Sequence, residues 1–314
     1  MTIKSSGRVV SVNMSEEKGT IKKPVSEITI TESGVLGDAH SGDWHRQVSI
    51  LSEERIEQFS SEVGRQIKPG EFAENITTRG IDIRSVAVLD RFRIVSAELE
   101  VTQIGKVCHG DTCAIYREVG ACIMPEEGIF CRVVKEGTVK EGDEIEYIPG
   151  TLRFLVITLS DRVSQGKCDD KSGPKIKEML ENYFRGKHWH IDCAGVVLPD
   201  DPRSLKSEIE KACDGGVDII ITTGGTGIGP RDMTPDVVSS MADRIIPGIM
   251  EHIRITYGEK NPRALLSRSV AGLVGNCLVY ALPGSVKAVK EYMEEILKTL
   301  EHCIFMVRGI DVHN

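Results

Sequence analysis

Residues 217–235 constrain the fold more than any other stretch of the chain. The apolar run Val217-Asp218-Ile219-Ile220-Ile221 reads as a buried strand. It passes directly into Thr222-Thr223-Gly224-Gly225-Thr226-Gly227-Ile228-Gly229-Pro230-Arg231-Asp232-Met233-Thr234-Pro235. Glycines without Cβ let backbone N–H groups approach an anion and form a concave nest around it, and Thr222, Thr223 and Thr226 are placed to add hydroxyl donors. Thr234 is a favourable N-cap and Pro235 a favourable first helical residue, so a helix N-terminus would aim its positive end at the same point. Asp232 then stands at the rim, where a carboxylate among phosphates makes sense as a ligand to Mg²⁺. The plainer reading is a glycine-rich turn after a strand, with Asp232 a turn residue. Two common phosphate loops are excluded: no Gly-x4-Gly-Lys-Ser/Thr string occurs, and a dinucleotide fingerprint starting at Gly225 meets Pro230 where its third glycine belongs.

A length of 314 residues suits about two domains, and the texture changes near Tyr147-Ile148-Pro149-Gly150. Before it come short β-type runs at Arg8–Val12, Glu27–Thr31, Gln47–Leu51, Phe92–Val95 and Leu99–Thr102, separated by turn signals such as Lys68-Pro69-Gly70 and Glu141-Gly142-Asp143. That pattern predicts an all-β barrel over residues 1–149, with one helix from Ser52 to Val63. After the boundary, strand and helix patterns alternate. Phe154–Ile157, Val217–Ile221 and Cys277–Tyr280 read as strands. Helices are expected from Pro174, from Asp201-Pro202 and from the cap Ser285. Residues 150–314 are therefore expected to form a three-layer α/β domain with a mostly parallel sheet, whose ligands bind at the carboxyl ends of the strands.

The C-terminal half resembles the molybdopterin adenylyltransferase family, whose signature is Gly-Gly-Thr-Gly, a short spacer and Asp-x-Thr-Pro. Three further segments match in the same order: Thr158-Leu159-Ser160-Asp161-Arg162 with Asp170-Lys171-Ser172-Gly173-Pro174, then Val197-Leu198-Pro199-Asp200-Asp201, then Leu282-Pro283-Gly284-Ser285. The resemblance implies transfer of AMP from ATP to the terminal phosphate of molybdopterin, with Mg²⁺ and a homo-oligomeric, trimeric assembly through this domain. It puts Asp232 and Asp200 in catalysis, Asp232 on the metal, and Ser160, Asp161, Thr223, Gly224, Gly225, Thr226, Gly227, Pro283, Gly284 and Ser285 on the substrates. Such a reaction uses a phosphate oxygen already ionised at neutral pH, so it needs positioning and charge neutralisation and no protein nucleophile. Structural readings stand beside several of these. Asp200 is a site carboxylate or part of an Asp-Asp-Pro helix cap. Ser160 and Asp161 meet substrate or make a turn, Asp170, Ser172 and Gly173 meet substrate or cap a helix, and Ser285 caps in either case. Arg231 neutralises a phosphate or is a surface arginine.

The N-terminal half resembles the MOSC domain, named for the C-terminal part of molybdenum cofactor sulfurase. The match runs through Gly37-Asp38-Ala39-His40 and Arg46-Gln47-Val48, then Lys68-Pro69-Gly70-Glu71-Phe72-Ala73-Glu74-Asn75-Ile76, then Val101-Thr102-Gln103-Ile104-Gly105-Lys106-Val107-Cys108-His109. It implies a barrel built around a cysteine that carries sulfur or engages a pyranopterin cofactor. Cys108 aligns with that position, with Cys113 and Cys122 close by, and Lys106, His109 or Arg46 able to favour its thiolate. Zinc bound by Cys108, His109, Cys113 and Cys122 is a rival reading, and inert thiols a third. Cys131 reads as a core thiol, and His40 and His45 as loop histidines.

The formal net charge of −8 argues against a general nucleic-acid binder. Of residues 1–150, 18 are basic and 25 acidic, against 21 and 22 in the remainder, so the half with the proposed anion site is the less acidic one. No run of 18 apolar residues occurs, and nine cysteines in a chain of this size suit a reducing compartment, so a cytoplasmic protein without a signal peptide is expected. Taken together, the two halves predict a bifunctional protein of molybdenum cofactor biosynthesis, with a sulfur donor or a molybdenum-insertion protein as possible partners. The alternatives are a non-catalytic carrier of the cofactor and an enzyme centred on the MOSC half, a sulfur transferase or a reductase.

Overall fold

The computed structural model describes residues 5–107, 116–117 and 121–312. It divides into two compact units, residues 1–151 with 188–190 and 310–314, and residues 152–187 with 191–309.

In the first unit the strands are β1 (Ser5–Met14), β2 (Lys23–Val25), β3 (Glu27–Thr31), β4 (Gly34–Val35), β5 (Val48–Ser52), β6 (Ile76–Arg79), β7 (Arg91–Ile94), β8 (Ala97–Ile104), β9 (Ile129–Lys135), β10 (Gly137–Lys140) and β11 (Glu144–Ile148). Seven of them close in the order β11-β7-β8-β9-β5-β6-β1, with β1 returning to pair antiparallel with β11. Closure leaves no bare edge on that ring. Within it only β5 and β6 run parallel. Inward residues of the alternating runs fill the interior, among them Val9, Val48, Ile50, Phe92, Ile94, Leu99, Val101, Ile129 and Ile145. The strands β10, β3 and β4 make a small second sheet. Helix α1 (Glu53–Val63) begins where the sequence places it: Ser52 caps it by accepting from the Arg55 N–H at 3.2 Å, and Gly64 ends it in the left-handed conformation. Its Ile56 and Phe59 pack with Leu51, Phe72 and Phe130 in a second cluster. A short helix, α2 (Met124–Glu127), was not anticipated.

Among these barrel residues lies a buried ion pair. The Lys22 ammonium sits 2.6 Å from Asp38 Oδ1, and both side chains are 1% exposed. Burial opposes the charge on Asp38, but hydrogen bonds from His40 and Lys22 and the lysine charge outweigh it and hold the carboxyl well below its usual range.

In the second unit β12 (Leu152–Leu159) is followed by α3 (Asp161–Ser164), α4 (Ser172–Phe184), β13 (Ile191–Leu198), α5 (Pro202–Asp214), β14 (Ile219–Thr223), α6 (Thr234–Met241), β15 (Arg244–Ile245), α7 (Pro247–Gly258), β16 (Val270–Val274), β17 (Cys277–Leu282) and α8 (Val286–Val307). The sheet order is β13-β12-β14-β17-β16-β15. It is mixed: β13, β12, β14 and β17 run parallel, and the hairpin-linked β16 and the two-residue β15 add antiparallel pairings at one side. Alternate residues of β12 and β14 face opposite ways. Leu155, Ile157 and Ile220 pack with Leu205 and Ile209 of α5 and Val237 and Val238 of α6. Phe154 packs instead on Phe184 of α4, ring centroids 5.7 Å apart, and α4 lies against α8. Helices thus cover both faces of the sheet. Among the described residues no helix is long and apolar enough to cross a membrane.

Asp38→Asn should leave a buried, unpaired Lys22 and destabilise the barrel by about 3–5 kcal/mol at neutral pH. Because the folded carboxyl titrates below the unfolded one, near 3.9, the parent keeps this contribution above about pH 4 and loses it as pH falls further. Urea unfolding from pH 7 to pH 3 should show the gap between parent and variant closing only at the acid end.

Candidate functional site

The carboxyl ends of the four parallel strands of the second unit lie along one edge, and each leads into one of the loops singled out in the sequence. They surround a cavity of about 730 Å³, a size typical of small-ligand sites. Its wall includes Thr158 near the end of β12 and Ser160 just after it, Asp169 to Ser172 leading into α4, Asp200 after β13, Thr223 at the end of β14 with Gly224, Gly225 and Gly229 to Asp232 beyond it, and Gly284 to Val286 leading into α8.

Two close backbone approaches shape it. Gly224 has φ +114°, and a Cβ there would lie 2.3 Å from the Leu159 carbonyl oxygen. A Cβ on Gly227 would lie 2.7 Å from Asp232 Oδ2, so the loop folds back over its own carboxylate. Asp232 Oδ2 accepts from the Gly229 N–H at 2.8 Å. Asp200 and Asp161 are paired reciprocally, the Asp161 N–H donating to Asp200 Oδ2 at 3.1 Å and the Asp200 N–H to Asp161 Oδ1 at 3.0 Å. Capping of α5 falls instead to Asp201, which accepts from the Ser204 N–H at 2.8 Å. Asp161 is not on the cavity wall; its Oδ2 holds the Arg231 guanidinium at 3.0 Å, and Arg231 is on the wall.

Most hydroxyls expected to face a phosphate are committed elsewhere. Thr223 Oγ1 donates to the Pro283 carbonyl at 2.9 Å, which ties β14 to the loop after β17. Thr222 is fully buried in the sheet. Thr226 turns away from the cavity, its hydroxyl 3.4 Å from that of Ser267. Thr234 does not cap α6: its N–H and hydroxyl donate to the Gly225 and Gly224 carbonyls at 3.1 and 2.9 Å, closing the loop into a ring. Ser160 caps α3 and Ser285 caps α8, accepting from Val163 and Ala288 N–H groups, and both still line the cavity. Asp170 accepts from the Ser172 and Gly173 N–H groups and from the Thr158 hydroxyl, so α4 starts at Ser172, two residues before the expected Pro174. Of the predicted contacts, Ser160, Asp200, Thr223, Gly224, Gly225, Asp232, Gly284 and Ser285 meet at the cavity, whereas Asp161, Thr226, Gly227 and Pro283 support it from behind.

Three contributors were not singled out in the sequence. Lys171, within the matched Asp-Lys-Ser-Gly-Pro string, is on the wall, as is Asp169. Arg268 lies behind the glycine loop, and its guanidinium donates to the Gly227 and Asp232 carbonyls and to Asp236, whose carboxyl this hydrogen bond holds below the usual range. No local pattern marks Arg268; only the fold brings Ser267 to Ser269 against the loop.

In the first unit, Cys108, His109 and Cys113 lie outside the described residues. Cys122 is partly buried, and Cys131 is fully buried with its thiol pushed well up by that burial, as a core thiol should be. His45 is buried rather than solvated, and burial lowers its pKa, favouring the neutral ring.

Fold and cavity together define an α/β domain whose glycine loops and helix starts line a cavity at the carboxyl edge of its sheet, with a closed β-barrel ahead of it in the chain. The comparisons with known proteins are more specific. Residues 155–302 match the model of the probable molybdopterin binding domain, and residues 37–146 that of the MOSC domain. The chain is 32% identical over 161 residues to the molybdopterin adenylyltransferase of Helicobacter pylori (strain J99), covering 51% of this chain and 89% of that protein. It is 36% identical over 171 residues to gephyrin of Dictyostelium discoideum, covering 53% of this chain but only 23% of gephyrin. It is 33% identical over 168 residues to the molybdenum cofactor biosynthesis bifunctional protein of Chlorobaculum tepidum, covering 52% of this chain and 50% of that one. The chain belongs to the molybdopterin-binding family that includes the molybdopterin adenylyltransferases, and carries a MOSC domain ahead of it.

Gly224→Ala should cost about 1–3 kcal/mol from the backbone conformation alone, with the collision against Leu159 added. A lower thermal midpoint for the second unit, together with loss of ligand binding at the cavity, checks this.

Proposed function

We propose that the second unit transfers AMP from ATP to the terminal phosphate of molybdopterin, within molybdenum cofactor biosynthesis. A phosphate oxygen of molybdopterin forms the new bond to the α-phosphorus, the bond from that phosphorus to the bridging oxygen breaks, and pyrophosphate leaves. The observation that carries the reading is the composition of the cavity wall, which combines anion-binding backbone with carboxylates. The Gly224 N–H is taken by the Leu282 carbonyl at 2.9 Å, so Gly225 and the start of α8 at Ser285-Val286 are the parts of the wall that would offer backbone N–H groups. Lys171 and Arg231 add cationic side chains, and no histidine, cysteine or serine is required as nucleophile.

Four carboxylates, Asp169, Asp170, Asp200 and Asp232, stand on the same wall against those two cations. Such a wall would repel a triphosphate and a second phosphate unless a cation came with them. The donors are all oxygen, and Mg²⁺ is typically held by one or two carboxylates plus substrate phosphates, so the residues fit that ion. Asp232 would hold it, with Asp200 on the facing loop as second carboxylate. When bound, the ion supplies neutralisation of the charge shared between the transferring and leaving phosphates. Arg231, paired with Asp161, and Lys171, just ahead of α4, would supply positive charge to the phosphates. The Thr223–Pro283 hydrogen bond ties the two glycine loops together and the Thr234–Gly224 bond closes the first of them, which supplies the positioning on which phosphoryl transfer depends.

For the barrel, the resemblance to MOSC domains supports handling of sulfur or of the pterin cofactor through Cys108. Protection of Cys108 from a thiol reagent by bound cofactor, with Cys131 unreactive in both states, is the expected result.

Purified protein given molybdopterin, ATP and Mg²⁺ should yield adenylylated molybdopterin by mass with one pyrophosphate released per product. Asp232→Asn should lower the rate about 10²–10³-fold, and chelation of divalent cations should abolish it. Tight binding of molybdopterin with no product in any condition would leave a cofactor carrier instead.

A further inference from the structure

Arg268 grips the glycine loop through three of its backbone carbonyls. Its backbone N–H donates to the Thr226 carbonyl at 2.8 Å, its Nε to the Gly227 carbonyl at 2.8 Å, and its Nη2 to the Asp232 carbonyl. The same guanidinium holds both oxygens of Asp236, in the first turn of α6, at 2.7 and 3.0 Å. It is not among the residues that line the cavity, and its hydrogen bonds run to the loop and to α6.

In a trans peptide the N–H and C=O point in opposite directions. With the carbonyls of Thr226, Gly227 and Asp232 drawn to Arg268, the N–H groups of Gly227, Ile228 and Met233 face away from it. These contacts also anchor both ends of the span 226–232, within which Asp232 Oδ2 is tied to the Gly229 N–H. Among the described residues Asp232 Oδ1 accepts no hydrogen bond, which leaves it for a ligand. Ser267 and Ser269, on either side of Arg268, share a hydrogen bond at 2.7 Å, and the Ser269 carbonyl accepts from Arg254 of α7 at 3.0 Å, so the clamp is itself braced.

We propose that Arg268 is the positioning residue of this site: it holds loop 226–232 in the single conformation in which the Asp232 carboxylate can bind a divalent cation together with substrate phosphates. The inference rests on the reading of this unit as a Mg²⁺-assisted adenylyltransferase. A lysine cannot replace the clamp, because one ammonium cannot span two carbonyls and a carboxylate in the fixed fork of a guanidinium.

Arg268→Gln and Arg268→Lys test it through two readouts that a general loss of stability would not move together. The free Mg²⁺ needed for half-maximal adenylyl transfer should rise about 10-fold or more in both variants, the range for residues that orient a metal ligand. In metal-free, nucleotide-free protein, amide hydrogen exchange should quicken at residues 224–234 and stay unchanged in β12 and α8. Should Arg268→Gln fail to fold, Asp236→Asn frees the far end of the guanidinium and should shift both readouts the same way by a smaller factor. An unchanged Mg²⁺ curve in an active variant, or unchanged exchange in the loop, overturns the proposal. A parent protein that makes no adenylylated product at any Mg²⁺ concentration overturns the reading of the site instead, and the exchange experiment still decides whether Arg268 orders the loop.

Discussion

Everything at the carboxyl edge of the second unit depends on one close packing of backbone against backbone. At Gly224 the chain leaves β14 with φ +114° and passes beneath the Leu159 carbonyl, while Gly284, after β17, would place a Cβ only 3.3 Å from the Gly224 Cα. Three strand ends therefore meet with no side chain between them. A methyl group at Gly224 would push β12 and β14 apart at the point where Ser160, Thr223 and Ser285 must share one cavity. Absence of a Cβ is what lets loops from β12, β14 and β17 converge.

The surrounding polar groups mostly serve that convergence. Thr223, Thr234, Ser172 and Asp170 spend their hydrogen bonds joining one loop to another or starting a helix. The Gly225 backbone and the start of α8 still face the cavity, with Asp232, Asp200, Lys171 and Arg231 as its side-chain chemistry. A site of this kind is preorganised, because the groups that face the ligand are held by others that do not.

The alternation of strand and helix after residue 150, and the loops that follow the strands, were legible because buried strands, glycine turns and capping residues leave local marks. Ser52, Ser285 and Asp201 are caps that the sequence shows and the structure repeats. Only the fold frees Asp200 from the capping alternative, by pairing it with Asp161 while Asp201 takes the Ser204 N–H. Thr234 misled for a related reason. A threonine before a proline has the form of an N-cap, but here its hydroxyl finds the Gly224 carbonyl ten residues earlier, a partner that no local rule supplies. The antiparallel pairing at β15 and β16 and the role of Arg268 arise from long-range contacts in the same way. Helix α7 went unread although Pro247 opens it, because its exposed apolar residues, such as Ile255, blur the periodicity.

The charge pattern of the cavity ties recognition to chemistry. With four carboxylates and two cations on the wall, neither phosphates alone nor a cation alone finds a fully complementary site. Phosphates would meet Asp200 and Asp232 as repulsion, and a bare divalent ion would meet Lys171, Arg231 and the positive end of α8 as repulsion. On the proposed reading each would cancel the other's cost, so the two would bind with positive coupling, and by reciprocity the cation would bind more tightly when nucleotide is present by the same factor that nucleotide gains from the cation. A loop that kept Asp232 mobile would weaken that coupling, because the carboxylate would follow the cation rather than fix it. Closure of the glycine loop by Thr234 and by Arg268 is what the proposed selectivity, metal and phosphate bound as one unit, would require of the chain.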